Sequence, residues 1–395
     1  MSNSPTIYMD YAATTPMDKR VVDAMSPWWG DFVGNASSLQ NAHGQMAKRA
    51  IDKAQNQIAD AIGADKDEII FTSGATEANN MVLLGLAEHL KSEGRTHIVT
   101  SKTEHASVLM PAMQLMRTGF DVAFSTLLPC GMADGKDVLA ALNENTGLVS
   151  IQAVNNETGV INPLDEVKAG LMGTDILFHC DAAQALGKAP FNVKDTGVDF
   201  ATLSAHKVYG PQGIGALYVR REVLSYLKPL VFGGGQQGGL RSGTLPTALI
   251  VGFGEACAIA VAEQSADKQR FENYHQIIRS ALDKAQVTYK INGHDHGKDS
   301  TLWRVPNIMN ICFEGVENEW LLEAIQGFAF STGSACSANG NKTSHVLEAI
   351  GCTATEVNSS IRLSFGRMTT EQEIQRVATE LAQVVSSLQE LTQAA

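Results

Sequence analysis

Lys207 follows an apolar run, Asp199-Phe200-Ala201-Thr202-Leu203, within the segment Ser204-Ala205-His206-Lys207-Val208-Tyr209-Gly210. An amine at the carboxyl end of a strand sits where open α/β sheets bind ligands. Ser204 and His206 flank it with hydroxyl and imidazole groups, and a glycine-rich run, Gly210-Pro211-Gln212-Gly213-Ile214-Gly215, comes next. This combination suits a phosphate held in place while the amine bonds to an aldehyde. Without those neighbours Lys207 would read as an ordinary surface lysine in a turn.

Four other segments offer complementary groups. Thr72-Ser73-Gly74-Ala75-Thr76-Glu77 lies between an apolar run and a long helical pattern. Small residues at a helix N-terminus leave backbone N–H groups open to an anion. Phe178-His179-Cys180-Asp181-Ala182-Ala183-Gln184 ends a buried strand in a carboxylate, which needs a partner. A pyridinium nitrogen provides one and keeps the ring an electron sink. Thr103-Glu104-His105 brings an imidazole that could stack on a ring and move protons. Asn156, in Asn155-Asn156-Glu157-Thr158-Gly159, adds an amide. A helix cap or a solvated loop would account for any one of these segments. Only a shared ligand accounts for all five strand ends, and the groups describe pyridoxal phosphate.

A second chemistry is written further along. Cys336 lies in Ser331-Thr332-Gly333-Ser334-Ala335-Cys336-Ser337-Ala338-Asn339-Gly340-Asn341-Lys342, a small, polar setting that predicts an exposed loop and a reactive thiol. The other five cysteines are scattered with no CxxC pair, and all but Cys130 and Cys352 sit in apolar stretches. This disfavours a zinc site and a disulfide framework. The triplet His294-Asp295-His296 reads as a solvated loop, so no metal is expected. Ser360-Ile361-Arg362-Leu363-Ser364 offers a strand-borne guanidinium suited to gripping a carboxylate.

The elements that must position these groups alternate along the chain. Apolar runs at 68–71, 97–100, 122–125, 148–154, 176–180, 199–203 and 214–219 predict strands covered on both faces. Helical patterns at 45–62 and 77–91 lie between them, so the fold class is α/β with a mostly parallel sheet. Beyond about residue 260 a helix at 256–286, strands at 308–313 and 361–364, and a final helix opened by Thr370 and Glu373 predict a smaller α+β domain. The polar stretch 293–305 reads as a surface loop. A net charge of −12 speaks against a nucleic-acid footprint. No apolar stretch long enough to cross a bilayer and no secretory signal is read, so a cytoplasmic protein is expected.

Taken together the motifs resemble the cysteine desulfurases of the NifS/IscS type, class-V aminotransferases of pyridoxal-phosphate fold type I. YMDYAATTP, EIIFTSGATEANN, SKTEHASVL, VNNETGV, HCDAAQALGK, SAHKVYGPQGIGALYVR, GGGQQGGLRSGTLP, STGSAC and SSIRLSFGR occur in family order over nearly the whole chain. The resemblance implies a large cofactor-binding domain at 16–258 and a small domain made of 1–15 and 259–395. It implies that Lys207 bonds the cofactor aldehyde, Asp181 pairs with the pyridine nitrogen, Gln184 bonds the phenolic oxygen and His105 stacks on the ring. Thr76, Ser204 and His206 would hold the phosphate, joined by Thr244 of the partner subunit in a homodimer, and Ala75 and Asn156 would also contact the cofactor. Asn35, Asn156 and Arg362 would bind the substrate, L-cysteine, and Cys336 would take its sulfur as a persulfide for a protein acceptor.

Iron–sulfur cluster assembly, tRNA thiolation, cofactor synthesis and DNA phosphorothioation are the open destinations for that sulfur. A selenocysteine or cystine lyase using the same cofactor site, and a non-catalytic scaffold, are the competing readings. Ala36, the Gln40-Asn41 pair and Gln237 depart from the family pattern and are expected to bear on the substrate entrance. The catalytic-loop setting resembles the branch with the longer loop.

Overall fold

A computed structural model describes residues 6–293, 303–332 and 343–394. Seven strands, all but β4 wholly buried, form the main sheet: β2 (Ile69–Thr72), β3 (His97–Ser101), β4 (Asp121–Ser125), β5 (Thr146–Ser150), β6 (Leu177–Asp181), β7 (Phe200–Ser204) and β8 (Gly215–Val219). Their order is β2-β8-β7-β6-β5-β3-β4. The neighbours from β7 through β4 are parallel, while β8 is antiparallel to both β7 and β2. Two reversals restore the direction, so β2 points the same way as β7. The segments leaving β2, β3, β5, β6 and β7 therefore emerge on one edge of the sheet, where ligands of open α/β folds bind. This matches the α/β class read from the sequence.

Apolar clusters cover both faces of that sheet. A separate cluster brings Ile7 and Met9 together with Phe313, Ile361, Phe365, Leu381 and Val385. It packs around an antiparallel sheet of β9 (Tyr289–Ile291), β10 (Ile308–Phe313) and β12 (Ser360–Ser364) in the order β12-β10-β9. The pair β1 (Ile7–Tyr8) and β11 (Phe328–Ala329) is parallel. The helix Glu371–Ala394 carries the capping box read from the sequence, with Glu373 N–H donating to Thr370 Oγ1 and Thr370 N–H to Glu373 Oε2.

One helix serves both cores. It runs over Thr247–Lys284, nine residues earlier than the periodicity placed its start, and stays continuous across residue 258. Ile250, Phe253 and Cys257 belong to the sheet core, whereas Phe271, Tyr274, Ile278 and Leu282 belong to the second. By length and apolar composition it could cross a bilayer, against the expectation that no stretch qualifies, yet half of its apolar window is buried within the protein. The early turns carry Gly252 and Gly254, weak helix formers that obscure the helical pattern in the sequence. They are packing residues: a Cβ at Gly254 would come within 2.6 Å of Ala54 Cα on the helix Ala42–Ile62. Gly254→Val is expected to cost at least about 2 kcal/mol through overpacking, seen as a lower denaturant midpoint by circular dichroism.

Other boundaries moved for local reasons. The helix predicted at 77–91 is two, Ala75–Gly85 and Ala87–Ser92, because the Gly85 carbonyl accepts from Lys228 N–H at 3.0 Å and leaves the helical ladder. The predicted strand 148–154 ends at Ser150. The stretch 293–305 is not wholly a surface loop: Arg304 is buried, and its Nη2 donates to the carbonyls of Thr158 and Ile308. His294, Asp295 and His296 lie outside the described residues.

Candidate active site

Lys207 stands on the turn Ala205–Lys207 directly after β7. Its Nζ donates to the carbonyls of Ala12 and Ala13, both at 2.7 Å, tying the amine to the N-terminal segment that leads out of the second core. His206 Nδ1 lies 3.1 Å from Thr14 Oγ1. Burial, then the cations of Lys207 and Lys188, hold its pKa down to about 4, so the ring is neutral. Ser204 is buried, and its Oγ has no hydrogen-bond partner among the described residues. A buried orphan hydroxyl marks a ligand site or a missing water.

The turn after β2 lies beside this hydroxyl. Gly215 pairs with Ser204, and a Cβ on Gly215 would stand 2.7 Å from Gly74 Cα. Only glycine permits that approach of Gly74 to the end of β7. Ala75 and Thr76 open the helix Ala75–Gly85, whose N-terminal N–H groups suit an anion. Glu77 braces the turn: its Oε2 accepts from Ser73 N–H and its Oε1 from Arg241 Nε, and these contacts pull its pKa down despite partial burial.

Asp181 closes β6 as a buried carboxylate. Its Oδ2 accepts from Asn79 Nδ2 at 2.8 Å and its Oδ1 from Ala183 N–H at 3.0 Å. Each oxygen keeps a lone pair, so the group can still accept a ring N–H. Asn79 Nδ2 also donates to Ser107 Oγ, and Ser107 Oγ lies 2.8 Å from His105 Nδ1. Because the Ser107 backbone N–H also donates to Nδ1, that nitrogen is an acceptor and the neutral ring carries its proton on Nε2. A continuous chain of bonds thus links Asp181 to His105. Next to it, Glu104 is fully buried, and desolvation raises its pKa well above the usual carboxylate range.

Arg362 on β12 is buried. Its Nη2 donates to Asp10 at 2.7 Å and its Nη1 to the Asn156 carbonyl at 3.0 Å. Gln184 Nε2 donates to the Ala12 carbonyl, and its Oε1 accepts from Lys188 Nζ. One cavity of about 460 Å³ gathers these groups: Ala75, His105, Asn156, Asp181, Gln184, Lys207 and Arg362 all line it, with Ala12, Glu157 and His345. His345 Nε2 donates to the Glu104 carbonyl, and Ser344 Oγ donates to Glu157.

Thr76, Ser204 and His206 belong to the turns beside the cavity without forming its wall. Asn35 is exposed in a turn, where its Oδ1 accepts from Ser37 N–H, and Thr244 is exposed too; neither lines this cavity. Cys336 lies outside the described residues. Among the described residues no cysteine lines the cavity. Cys130, which its sequence setting left open, is buried against Met132 and Val160. The expectation that Gln237 bears on the entrance is not met within this chain. Its amide accepts from Phe71 N–H and donates to the Phe71 carbonyl, sealing the edge of β2 as only an amide can.

The residues fit pyridoxal phosphate. An orphan hydroxyl and a helix N-terminus would hold the phosphate, the buried carboxylate would pair with the ring nitrogen, and the amine of Lys207 would bond the aldehyde. Asn79, Ser107, Asp10 and Lys188 were not read from the sequence. For Asn79 a signal existed, an amide at helical spacing from the apolar positions Val82 and Leu83 in Ala78-Asn79-Asn80-Met81-Val82-Leu83.

Comparison with known proteins points the same way. The class-V aminotransferase family matches residues 7–377. A cysteine desulfurase IscS from Anaeromyxobacter sp. (strain Fw109-5) is 44% identical over 386 residues, covering 98% of this chain and 94% of the relative. A NifS-like protein of known structure superposes with a TM-score of 0.88 at 32% identity, covering 97% of this chain and all of that one. SspA in complex with cysteine superposes with a TM-score of 0.80 at 37% identity over 92% of this chain and all of the other.

Proposed function

The chain belongs to the class-V aminotransferase family, and within it we propose that this protein is a pyridoxal-phosphate-dependent cysteine desulfurase. It converts L-cysteine to L-alanine and passes the sulfur, as a persulfide on Cys336, to a protein acceptor. The observation that carries this reading is the single cavity onto which Lys207, Asp181, Gln184, His105, Asn156 and Arg362 converge.

When bound, the cofactor supplies an electron sink that makes the substrate α-proton labile. The chain does the rest. Arg362, held in orientation by Asp10 and by the Asn156 carbonyl, presents guanidinium N–H groups to the substrate carboxylate. Lys207 Nζ, held at the cavity wall by two carbonyls, removes the α-proton. His105 takes or returns the thiol proton, with its ring fixed by Ser107. The Cys336 thiolate attacks the substrate sulfur, and an S–S bond forms as the Cβ–S bond breaks. The bonding pair stays with Cβ, which is protonated, so alanine leaves and the sulfur remains on Cys336.

The absence of any described cysteine from the cavity supports Cys336 in this role, since the other five are placed elsewhere. Burial pushes the Cys180 and Cys257 thiols up, away from the reactive thiolate form. We assign Thr244 of the partner subunit to the phosphate in a homodimer, because Thr244 is exposed and away from the cavity of its own chain. Asn35 is assigned a place at the substrate entrance of the same assembly. A cytoplasmic enzyme serving iron–sulfur cluster assembly is the setting we propose.

Cys336→Ser tests the sulfur step. Alanine and persulfide formation from L-cysteine should fall at least about a hundredfold, with the cofactor absorbance unchanged. Sulfide release at the wild-type rate, or pyruvate in place of alanine, would sink the desulfurase assignment in favour of a lyase.

A further inference from the structure

Lys188 is a second amine beside the site, and nothing in the reaction above uses it. It is half-buried, four residues after Gln184, and its Nζ donates to Gln184 Oε1. Gln184 is itself buried, and its Nε2 donates to the Ala12 carbonyl, the same oxygen that accepts from Lys207 Nζ. Three side chains thus meet through two bonds to Ala12 and one between Lys188 and Gln184. From this arrangement we propose that Lys188 is a positioning residue that, together with the Ala12 carbonyl, fixes the orientation of the Gln184 amide toward the cofactor. The proposal rests on the cofactor reading given above.

The argument is one of donor and acceptor bookkeeping. A glutamine amide can present either its oxygen or its nitrogen to a neighbour, and only the hydrogen-bond network decides. An amine that donates accepts only one orientation, with Oε1 toward Lys188. The Gln184 NH2 group then has two hydrogens. One goes to Ala12, which leaves the second for the cavity that Gln184 lines. With Oε1 so engaged, the cavity is offered a donor. The phenolic oxygen of pyridoxal phosphate is an acceptor, and it is anionic in the reactive form. The wrong amide orientation would set Gln184 Oε1 against that anion and leave Lys188 beside the Gln184 NH2 group.

Lys188 also sits in a field that favours sharing its proton with an acceptor. Burial and then the Lys207 cation bring its pKa down to about 7, and its own charge helps hold the His206 ring neutral.

The consequence is readable without turnover. A donor on the phenolic oxygen stabilises the anion most when the Lys207 nitrogen carries no proton. The Lys188–Gln184 pair therefore lowers the pKa of the cofactor-linked Lys207 nitrogen. Titrating the absorbance of holoenzyme gives that pKa directly. Lys188→Met and Lys188→Ala should each raise it by about one unit, and Gln184→Ala should raise it similarly. In a Gln184→Ala background the further shift from Lys188→Met should vanish, because the two residues act in series. A full shift retained in that background, or no shift in either Lys188 variant while the chromophore is intact, overturns the proposal. A wild-type protein with no chromophore linked to Lys207 would instead overturn the cofactor reading on which it stands.

Discussion

Lys207→Ala is expected to bind pyridoxal phosphate without a covalent link and to lose turnover by roughly a thousandfold or more. Two proposed functions fall together in this variant, the link to the aldehyde and the removal of the α-proton. The surrounding structure should survive, because Lys207 sits on a turn and its amine bonds are to the Ala12 and Ala13 carbonyls, which water can satisfy. The groups proposed to hold the phosphate do not depend on it. Ser204, the turn at Gly74 and the helix N-terminus at Ala75 and Thr76 are set by the β7–β8 pairing and by close packing on Gly215. The variant should therefore still retain cofactor on gel filtration, with an absorbance spectrum of the free aldehyde. Borohydride should fix the cofactor to wild-type protein and leave the variant unlabelled. Alanine formation above about a tenth of the wild-type rate would remove Lys207 from the proton-transfer role.

Much of this site was legible in the sequence because it is built at strand ends. A strand's last residue and the turn after it are local features, so Asp181, Ser204, Lys207 and the turn at Gly74 announce themselves by type and spacing. The parallel sheet then brings them together, and its two reversals at β8 put the end of β2 on the same edge. What the sequence hides is the support that comes from a distance. Asn79 meets Asp181 across 102 positions, and Asp10 meets Arg362 across 352. No local pattern encodes such a pair. Lys188, by contrast, is only four residues from Gln184, but it lies in a turn rather than a helix, so its spacing did not suggest contact. The long helix was misjudged for a related reason. Gly252 and Gly254 are weak helix formers in isolation, and only close packing against Met25 and Ala54 makes them the residues that fit.

Asp181→Ala should be nearly as damaging as loss of the lysine, and for a reason that geometry isolates. The carboxylate sits at the cavity wall with each oxygen holding one donor, Asn79 on one side and the Ala183 backbone on the other. Those bonds fix its plane, and in the proposed reaction the carboxylate would face a ring nitrogen that must hold its proton to draw electrons from the substrate. Alanine removes the carboxylate and takes from the buried Asn79 amide one of its two acceptors, so a fall in turnover of roughly a hundred- to ten-thousandfold is expected. Asp181→Asn is the sharper variant. It keeps the shape and the bond from the Ala183 backbone but cannot be an anion, and it sets one amide against Asn79. Its turnover should drop to within about tenfold of the alanine variant's, while both retain cofactor through the phosphate contacts. Asn79→Ala, which leaves the carboxylate in place and cuts only its link to Ser107 and His105, should lose about tenfold. An asparagine at 181 that turned over at close to the wild-type rate would mean that position, rather than charge, is what Asp181 provides.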